Sequence, residues 1–184
     1  LDARHGPSFY ATFADLFDCD PAEVAFVENA TRAWDHVFFG LNLRPGDHVL
    51  THAPNEYVSN YMGLLKLRDR GVVIDHMPVD EAGDIDLARL EDAIHPDTAL
   101  IALTHVATQS GRVNPVTEVG TIAIRRGIFY LLDACQSVGQ MTVHPKAIGC
   151  DALIGTGRKF LRGPRGTGFL YIASGAMADV DPPF

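Results

Sequence analysis

Apolar residues follow two different spacings along this chain, and the two spacings alternate. Short runs of mostly apolar residues indicate buried strands, and longer segments with apolar residues at helical spacing lie between them. The predicted strands cover residues 24–27, 48–52, 72–77, 99–106, 128–132, 152–155 and 166–173. The predicted helices cover residues 7–18, 28–41, 54–70, 85–94 and 115–126.

This alternation of strand and helix is typical of a doubly wound, mainly parallel sheet with helices on both faces. We therefore expect an α/β fold with three layers, α/β/α, around a seven-stranded sheet. About ten residues separate the sixth strand from the seventh, which is too few for a crossover helix. The last strand is therefore predicted to run antiparallel to its neighbours.

Composition limits the partners of this chain. Its 184 residues are 47% hydrophobic, which suits one domain with a sizeable core. The net charge is −8 and basic residues cluster only between residues 158 and 165, so we expect no nucleic acid and no acidic membrane surface as partner. No apolar run is long enough to span a bilayer.

The cysteines and histidines indicate neither disulfides nor a metal site. Cys19, Cys135 and Cys150 lie far apart without metal-ligand spacing, and such a sparse set favours a reducing, cytoplasmic location. His48 and His52 are four residues apart, but on a strand that spacing separates them by roughly 13 Å, too far to share a metal.

Polar residues that can carry chemistry follow two of the predicted strands. Asp133 and Gln136 come after strand 128–132, and Thr156, Arg158 and Lys159 come after strand 152–155. The carboxyl ends of parallel strands meet at one sheet edge, where α/β proteins bind ligands. Pyridoxal phosphate needs such a set: an amine for a Schiff base, a carboxylate for the pyridine nitrogen, and donors for the ring oxygen and phosphate.

Plainer interpretations of these residues stay open. Most lysines are solvated, and an aspartate at a strand end often caps a helix. Thr31 caps the helix that begins near it, binds phosphate there, or does both. Tyr57 is either a core aromatic or a residue that stacks on a cofactor ring. Cys135 is interpreted as a packing residue rather than a nucleophile.

Two runs carry a resemblance to a known family. Residues 133–140 (DACQSVGQ) and 156–171 (TGRKFLRGPRGTGFLY) resemble the class V aminotransferase group of fold-type I pyridoxal phosphate enzymes. This group includes cysteine desulfurases, kynureninases, isopenicillin N epimerases and ergothioneine-pathway β-lyases, and the second run is most similar to the lyase and epimerase branch. Because its members have a second, C-terminal domain, residues 1–184 are expected to be the cofactor-binding large domain without the small one.

The resemblance implies a role for each candidate residue. Lys159 is expected to form the Schiff base and Asp133 to pair with the pyridine nitrogen, and these two residues are the catalytic candidates. The remaining cofactor-binding candidates are Ala30, Thr31, Thr156 and Arg158 at the phosphate, Tyr57 over the ring, and Gln136 and Thr108 near the ring oxygen O3′. Tyr57 stands where relatives often have His, which leaves Lys159 as the main proton handler. His105 is expected to hold the end of its strand through a side-chain bond.

The implied activity is that of an enzyme acting on a small amino-acid substrate by cleavage of a C–S or another β/γ bond. An aminotransferase or a Cα epimerase on the same site is the alternative. A cysteine desulfurase is less favoured, because Cys19, Cys135 and Cys150 do not match the family's nucleophilic cysteine. A non-catalytic regulatory domain that binds the cofactor is the alternative from another class. By resemblance, the intact protein is expected to be a homodimer.

Overall fold

The computed structural model describes residues 9–182 of the chain. Its strands are β1 (Val24–Val27), β2 (His48–Thr51), β3 (Val73–His76), β4 (Thr98–Thr104), β5 (Phe129–Asp133), β6 (Ala152–Thr156) and β7 (Gly168–Ile172). Its helices are α1 (Phe9–Phe17), α2 (Ala30–Gly40), α3 (Val58–Arg68), α4 (Leu87–Leu90), α5 (Val116–Arg126) and α6 (Pro145–Ile148). No helix in this part of the chain has the length and apolar character needed to cross a membrane.

All seven strands form one sheet in the order β1-β7-β6-β5-β4-β2-β3. Strands β2 to β6 are parallel to their neighbours among themselves, whereas β7 runs antiparallel to both β1 and β6. The predicted mainly parallel sheet with a reversed last strand is therefore confirmed. Strand β7 lies inside the sheet, and β1 forms the edge.

Helices cover both faces of the sheet and bury two separate apolar cores. On one face, helices α1, α4, α5 and α6 pack against a cluster that includes Phe17, Leu90 and Leu132. On the other face, α2 and α3 contribute Trp34 and Leu64 to a second cluster. Because successive side chains along a strand point to opposite faces of the sheet, each strand contributes residues to both cores. The three-layer arrangement is thereby confirmed.

Three helices differ from the predictions. The helix predicted to start at residue 54 begins at Val58, because Pro54 lies in a 3-10 turn and Tyr57 has extended backbone angles (φ −72°, ψ 141°). The helix predicted over residues 85–94 shortens to α4 followed by a 3-10 turn. The short helix α6 was not predicted. Residues 7 and 8 of the first predicted helix lie outside the described residues.

The topology creates a crevice where the direction of winding changes. The chain passes from β2 to β3 on one side and then returns to β4 on the other side of β2. Loops that leave the carboxyl ends of adjacent parallel strands in opposite directions leave space between them, and ligands of α/β proteins bind there. Strands β2, β4, β5 and β6 all have their carboxyl ends at this edge, so the segments that follow them begin there.

Candidate active site

A cavity of about 410 Å³ opens at the carboxyl ends of the central strands. All nine predicted cofactor-binding residues line it: Ala30, Thr31, Tyr57, Thr108, Asp133, Gln136, Thr156, Arg158 and Lys159. The lining also includes residues that sequence reasoning did not assign to the site: Asn29, Ser59, Asn60, Thr104 and Cys135. Lys159 and Asp133 therefore lie at the same edge of the sheet.

Asp133 is the buried acid of this cavity. It is the last residue of β5 and only 3% exposed. Its Oδ1 accepts a hydrogen bond from the backbone N–H of Cys135 at 2.9 Å, and its Oδ2 accepts one from Asn60 Nδ2 at 2.9 Å. Asp133 does not act as a helix cap. Both oxygens are held in place, so the carboxylate has a defined direction at the floor of the cavity.

Lys159 lies in the loop that joins β6 to β7. Hydrogen bonds from Gly157 N to Thr167 O (2.9 Å) and from Gly163 N to Gly157 O (2.7 Å) close this loop at its base. The half-buried Lys159 places Nζ 5.6 Å from the centroid of the Tyr57 ring, within the range of a cation–π contact. Tyr57 is half-buried and faces the cavity, so it is not a residue of either core.

The beginning of α2 forms one corner of the cavity. Asn29 Oδ1 accepts a hydrogen bond from Arg32 N at 2.8 Å and caps the helix, so the interpretation of Thr31 as the cap is wrong. The exposed Thr31 hydroxyl lies 3.5 Å from Ser59 Oγ. The first N–H groups of a helix have no intrahelical acceptor, and together with the helix dipole they favour an anion. This corner is therefore suited to a phosphate group.

Thr156, the last residue of β6, and Arg158 line the same cavity. The Thr156 hydroxyl donates to the carbonyl of Thr167 at 3.1 Å and so helps to close the lysine loop. That leaves its oxygen free to accept rather than donate. Arg158 is exposed, and its guanidinium is the permanent positive charge of this part of the cavity.

The segments that follow β4 and β5 are joined by polar side chains. Gln136 Nε2 donates to Thr108 Oγ1 at 3.0 Å, which places the two residues predicted near the ring oxygen side by side. His105 does not hold its strand end as expected, since its Nδ1 is buried without a hydrogen-bond partner. The end of β4 is held instead by Asn114 Nδ2, which donates to the Thr104 carbonyl at 2.6 Å.

Glu56 and Asn60 were missed by sequence reasoning. Glu56 is 5% exposed, and its Oε1 accepts hydrogen bonds from Tyr57 N (2.9 Å), Asn60 Nδ2 (2.9 Å) and Thr104 Oγ1 (2.7 Å). Burial raises the pKa of Glu56 to about 7 against the lowering effect of the Thr104 bond, and the Asp133 charge adds to the rise. The signal in the sequence was that Glu56 and Asn60 are four positions apart near the start of a helix, a spacing that brings polar side chains together.

The three cysteines of the chain are free thiols, and none is suited to nucleophilic attack here. Cys135 lines the cavity, but burial and the neighbouring Asp133 raise the pKa of its thiol well above the usual value. Cys19 and Cys150 pack with the core on one face of the sheet, and burial raises both of their pKa values. Since the thiolate is the nucleophile, a reactive sulfur is not expected from any of them.

The donor set of this cavity fits pyridoxal phosphate. The anion-binding corner at α2 suits its phosphate, the buried carboxylate of Asp133 suits a cationic ring nitrogen, and the Lys159 amine suits its aldehyde. Tyr57 offers an aromatic face beside that amine. Within residues 9–182, no group of three His, Cys, Asp or Glu side chains is placed to bind a metal.

Comparison with known proteins finds that this chain is similar to aminotransferase class-V proteins. The family model "Aminotransferase class-V" matches residues 9–184. A probable cysteine desulfurase of Methanothermobacter thermautotrophicus is 39% identical over 170 residues, which cover 92% of this chain and 42% of that protein. The chain thus spans less than half the length of this curated relative.

Solved structures with the same fold include an apo cysteine desulfurase from Thermococcus onnurineus NA1. It superposes with a TM-score of 0.89 at 30% identity, over 95% of this chain and 44% of that one. The cystine C–S lyase C-DES, in complex with its reaction product cysteine persulfide, superposes with a TM-score of 0.87 at 26% identity, over 95% and 48% of the two chains. A variant of C-DES carries glycine covalently linked to its pyridoxal phosphate cofactor.

Proposed function

The chain belongs to the aminotransferase class-V family, and from this premise we propose that it is the cofactor-binding domain of a pyridoxal phosphate enzyme that cleaves a C–S bond in a cysteine-derived amino acid. The observation that carries the proposal is the placement of the Lys159 amine and the buried, doubly hydrogen-bonded Asp133 carboxylate on one cavity. The cleavage is proposed from the relatives, among them a cystine C–S lyase and cysteine desulfurases.

Six side chains of the cavity would hold the cofactor. Lys159 would bind it through the amine, and Asp133 would pair with its ring nitrogen. The Thr31 hydroxyl, the Arg158 guanidinium and the first N–H groups of α2 would bind its phosphate. The hydrogen-bonded pair of Gln136 and Thr108 would hold the ring oxygen.

Proton transfer would fall to Lys159. When bound, pyridoxal phosphate supplies an electron sink for bond breaking at the substrate Cα. The Lys159 amine would remove the proton from Cα and later return a proton to the product. Tyr57 lies beside this amine, with its ring centroid 5.6 Å from Nζ. Imidazole can shuttle protons near neutral pH, so a Tyr in place of His at this position leaves the proton transfer to Lys159.

The fate of the sulfur separates two versions of the proposal. A C–S lyase releases the sulfur with its electron pair, as hydrosulfide from cysteine or as a persulfide from cystine. Water then hydrolyses the remaining three-carbon fragment to pyruvate and ammonia. A cysteine desulfurase, the version favoured by the 39% identical relative, transfers the sulfur to a thiolate and releases alanine. The described cysteines are unsuited to that role, so the thiolate would come from another part of the intact protein.

The test is to supply the intact protein with pyridoxal phosphate and to incubate it separately with cysteine and with cystine. Pyruvate and ammonia in equal amounts are expected from the lyase, and alanine with protein-bound sulfur from the desulfurase. A keto acid formed only with an added amino acceptor would point to an aminotransferase, and loss of optical activity to an epimerase. Absence of turnover with both amino acids would contradict the proposed C–S cleavage.

The oligomeric state and cellular location concern the intact protein. By resemblance to the family, we propose that the chain is the large domain of a cytoplasmic homodimer, and its three free thiols fit a reducing compartment. Light scattering on the intact protein is expected to give twice the mass of one chain, and the mass of one chain would contradict the dimer.

A further inference from the structure

Glu56 is a buried acid whose two carboxyl oxygens differ sharply in their hydrogen bonds. Its side chain is buried at 5% exposure, and one carboxyl oxygen, Oε1, accepts three hydrogen bonds. The other oxygen, Oε2, is buried without any hydrogen-bond partner. An ionised carboxylate with a bare buried oxygen is costly, because charge out of water needs partners on both oxygens. The neutral acid suits this environment better than the carboxylate.

Asn60 connects this acid to the site. Its Nδ2 donates to Glu56 Oε1 at 2.9 Å and to Asp133 Oδ2 at 2.9 Å. An amide nitrogen carries two hydrogens, so both are used and the amide cannot rotate without losing one bond. The direction of the Asp133 carboxylate is therefore set partly by Glu56, which does not line the cavity itself.

Four groups face the Glu56 carboxyl, and one of them is charged. Strand β4 presents the Thr104 hydroxyl, helix α3 the Asn60 amide, the chain before α3 the Tyr57 N–H, and strand β5 the Asp133 carboxylate. Among these only Asp133 carries a charge, and it is a like charge. An ionised Glu56 would thus add a second negative charge behind the carboxylate that faces the ring nitrogen.

We propose that Glu56 is a positioning residue of the cofactor site, which holds the Asn60 amide on Asp133 and, by releasing its proton, increases the negative charge behind the cofactor's ring nitrogen. The role of the cofactor in this inference rests on the proposed function. Protonated Glu56 leaves Asp133 as the sole counterion, whereas ionised Glu56 strengthens the hold on a ring proton. The pKa of about 7 places this change near neutral pH.

A buried glutamate elsewhere in the chain shows the contrasting arrangement. Glu23 is also 5% exposed, but both of its oxygens have partners: Ser174 N at 3.0 Å, Asp20 N at 3.1 Å and the Lys146 amine at 3.0 Å. These bonds outweigh burial and lower the pKa of Glu23. It lines no part of the cofactor cavity, so it provides a matched control for the loss of a buried carboxyl group.

The first test uses the intact protein loaded with pyridoxal phosphate and follows its visible absorbance from pH 5 to 9. The wild type is expected to show an inflection near pH 7, which Glu56→Gln abolishes and Glu23→Gln retains. Asn60→Ala is expected to weaken the inflection, because it removes the hydrogen-bonded link between the two carboxyl groups and leaves only the charge of Glu56 to act on the site. An inflection unchanged in Glu56→Gln would overturn the proposal.

The second test needs no cofactor. In wild-type protein labelled with ¹³C at the glutamate carboxyl groups, the resonance that is missing from Glu56→Gln is expected to titrate near pH 7. In Asn60→Ala this resonance should titrate at a higher pH, because the hydrogen bond from Asn60 lowers the pKa of Glu56. Titration of that resonance near the ordinary glutamate value would overturn the proposal even if the absorbance changes. Failure of the wild type to form any coloured adduct would count against the proposed function, while this titration would still decide the state of Glu56.

Discussion

Asp133 of β5 and Lys159 of the loop after β6 line the same cavity, and their surroundings explain how each is held. Asp133 ends a buried strand, and its two oxygens have fixed donors. Lys159 lies in a loop closed by backbone hydrogen bonds and faces the ring of Tyr57. Rigid placement of reacting groups is worth several kcal/mol of an activation barrier, since it removes the cost of orienting them.

The prediction at this scale concerns the amine. Lys159→Ala is expected to abolish the yellow, borohydride-reducible adduct with pyridoxal phosphate, because no other described lysine lines the cavity. Turnover should fall by roughly 10²–10⁴-fold or more, the usual contribution of a positioned acid–base group. Absorbance spectra and mass spectrometry after reduction provide the measurement.

Lys66→Ala is the matched control, since Lys66 is exposed on α3 and should leave the adduct intact. An adduct of unchanged yield in Lys159→Ala would remove Lys159 from the proposed mechanism.

At the scale of elements, the loop between β6 and β7 depends on a neighbouring turn. Gly139 has φ of +96°, and a Cβ at this position would lie 2.7 Å from the backbone carbon of Phe160. Phe160 directly follows Lys159, so the segment after Gln136 is pressed against the loop that carries the amine. The absence of a side chain at Gly139 is what allows this approach.

Gly139→Ala is therefore expected to displace the lysine loop. The left-handed backbone strain costs about 1–2 kcal/mol, and overpacking against the loop adds about 1–3 kcal/mol. Thermal unfolding should report the loss of stability, and fluorescence titration should report weaker binding of pyridoxal phosphate. Gly175→Ala is the control, because nothing lies within 4 Å of a Cβ there. Equal cofactor affinity in both variants would contradict this account.

At the scale of the whole molecule, Glu23 joins parts that are distant in sequence. It lies before β1, accepts a hydrogen bond from Ser174 after β7, and pairs with Lys146 of α6. Its lowered pKa means that the folded protein favours the carboxylate more than the unfolded chain does. The stability that Glu23 contributes is thus present above the ordinary pKa near 4.5 and is lost as the pH falls through the folded pKa.

The pKa of Glu56 is shifted in the opposite direction. Its contribution to stability is present below pH 4.5 and is lost as the pH rises from about 4.5 to about 7.

Glu23→Gln is expected to lower the free energy of unfolding by about 1–3 kcal/mol at neutral pH, the usual cost of losing hydrogen bonds to a buried charged group. The deficit should shrink as the pH falls below about 4.5, where the wild-type carboxylate itself becomes protonated. Urea denaturation over a range of pH provides the measurement. Glu81→Gln, at an exposed position, is the control. A deficit independent of pH would contradict the assigned ionisation.

The strands and the lining of the cavity could be predicted from local information. Apolar runs mark buried strands, and strand β1 has the predicted bounds of residues 24–27. Thr156, Arg158 and Lys159 follow one strand and Asp133 another, and parallel strands necessarily bring such ends to one edge. The start of α3 was placed four residues too early, because Pro54 suits the first turn of a helix as well as the 3-10 turn that it occupies.

The order of residue types along the chain is sufficient for the layers, the reversed last strand and the polar residues at the ends of β5 and β6, because periodicity and connection length act over a few residues at a time. The other cavity residues that were predicted came from the family resemblance. Contacts between distant segments decided the rest. Asn60 meets Asp133 across 73 positions and Glu56 meets Thr104 across 48, through the packing of α3 on the sheet. The unpartnered oxygen of Glu56 exists only in that packing, since a proton's energy depends on the groups that surround it in space.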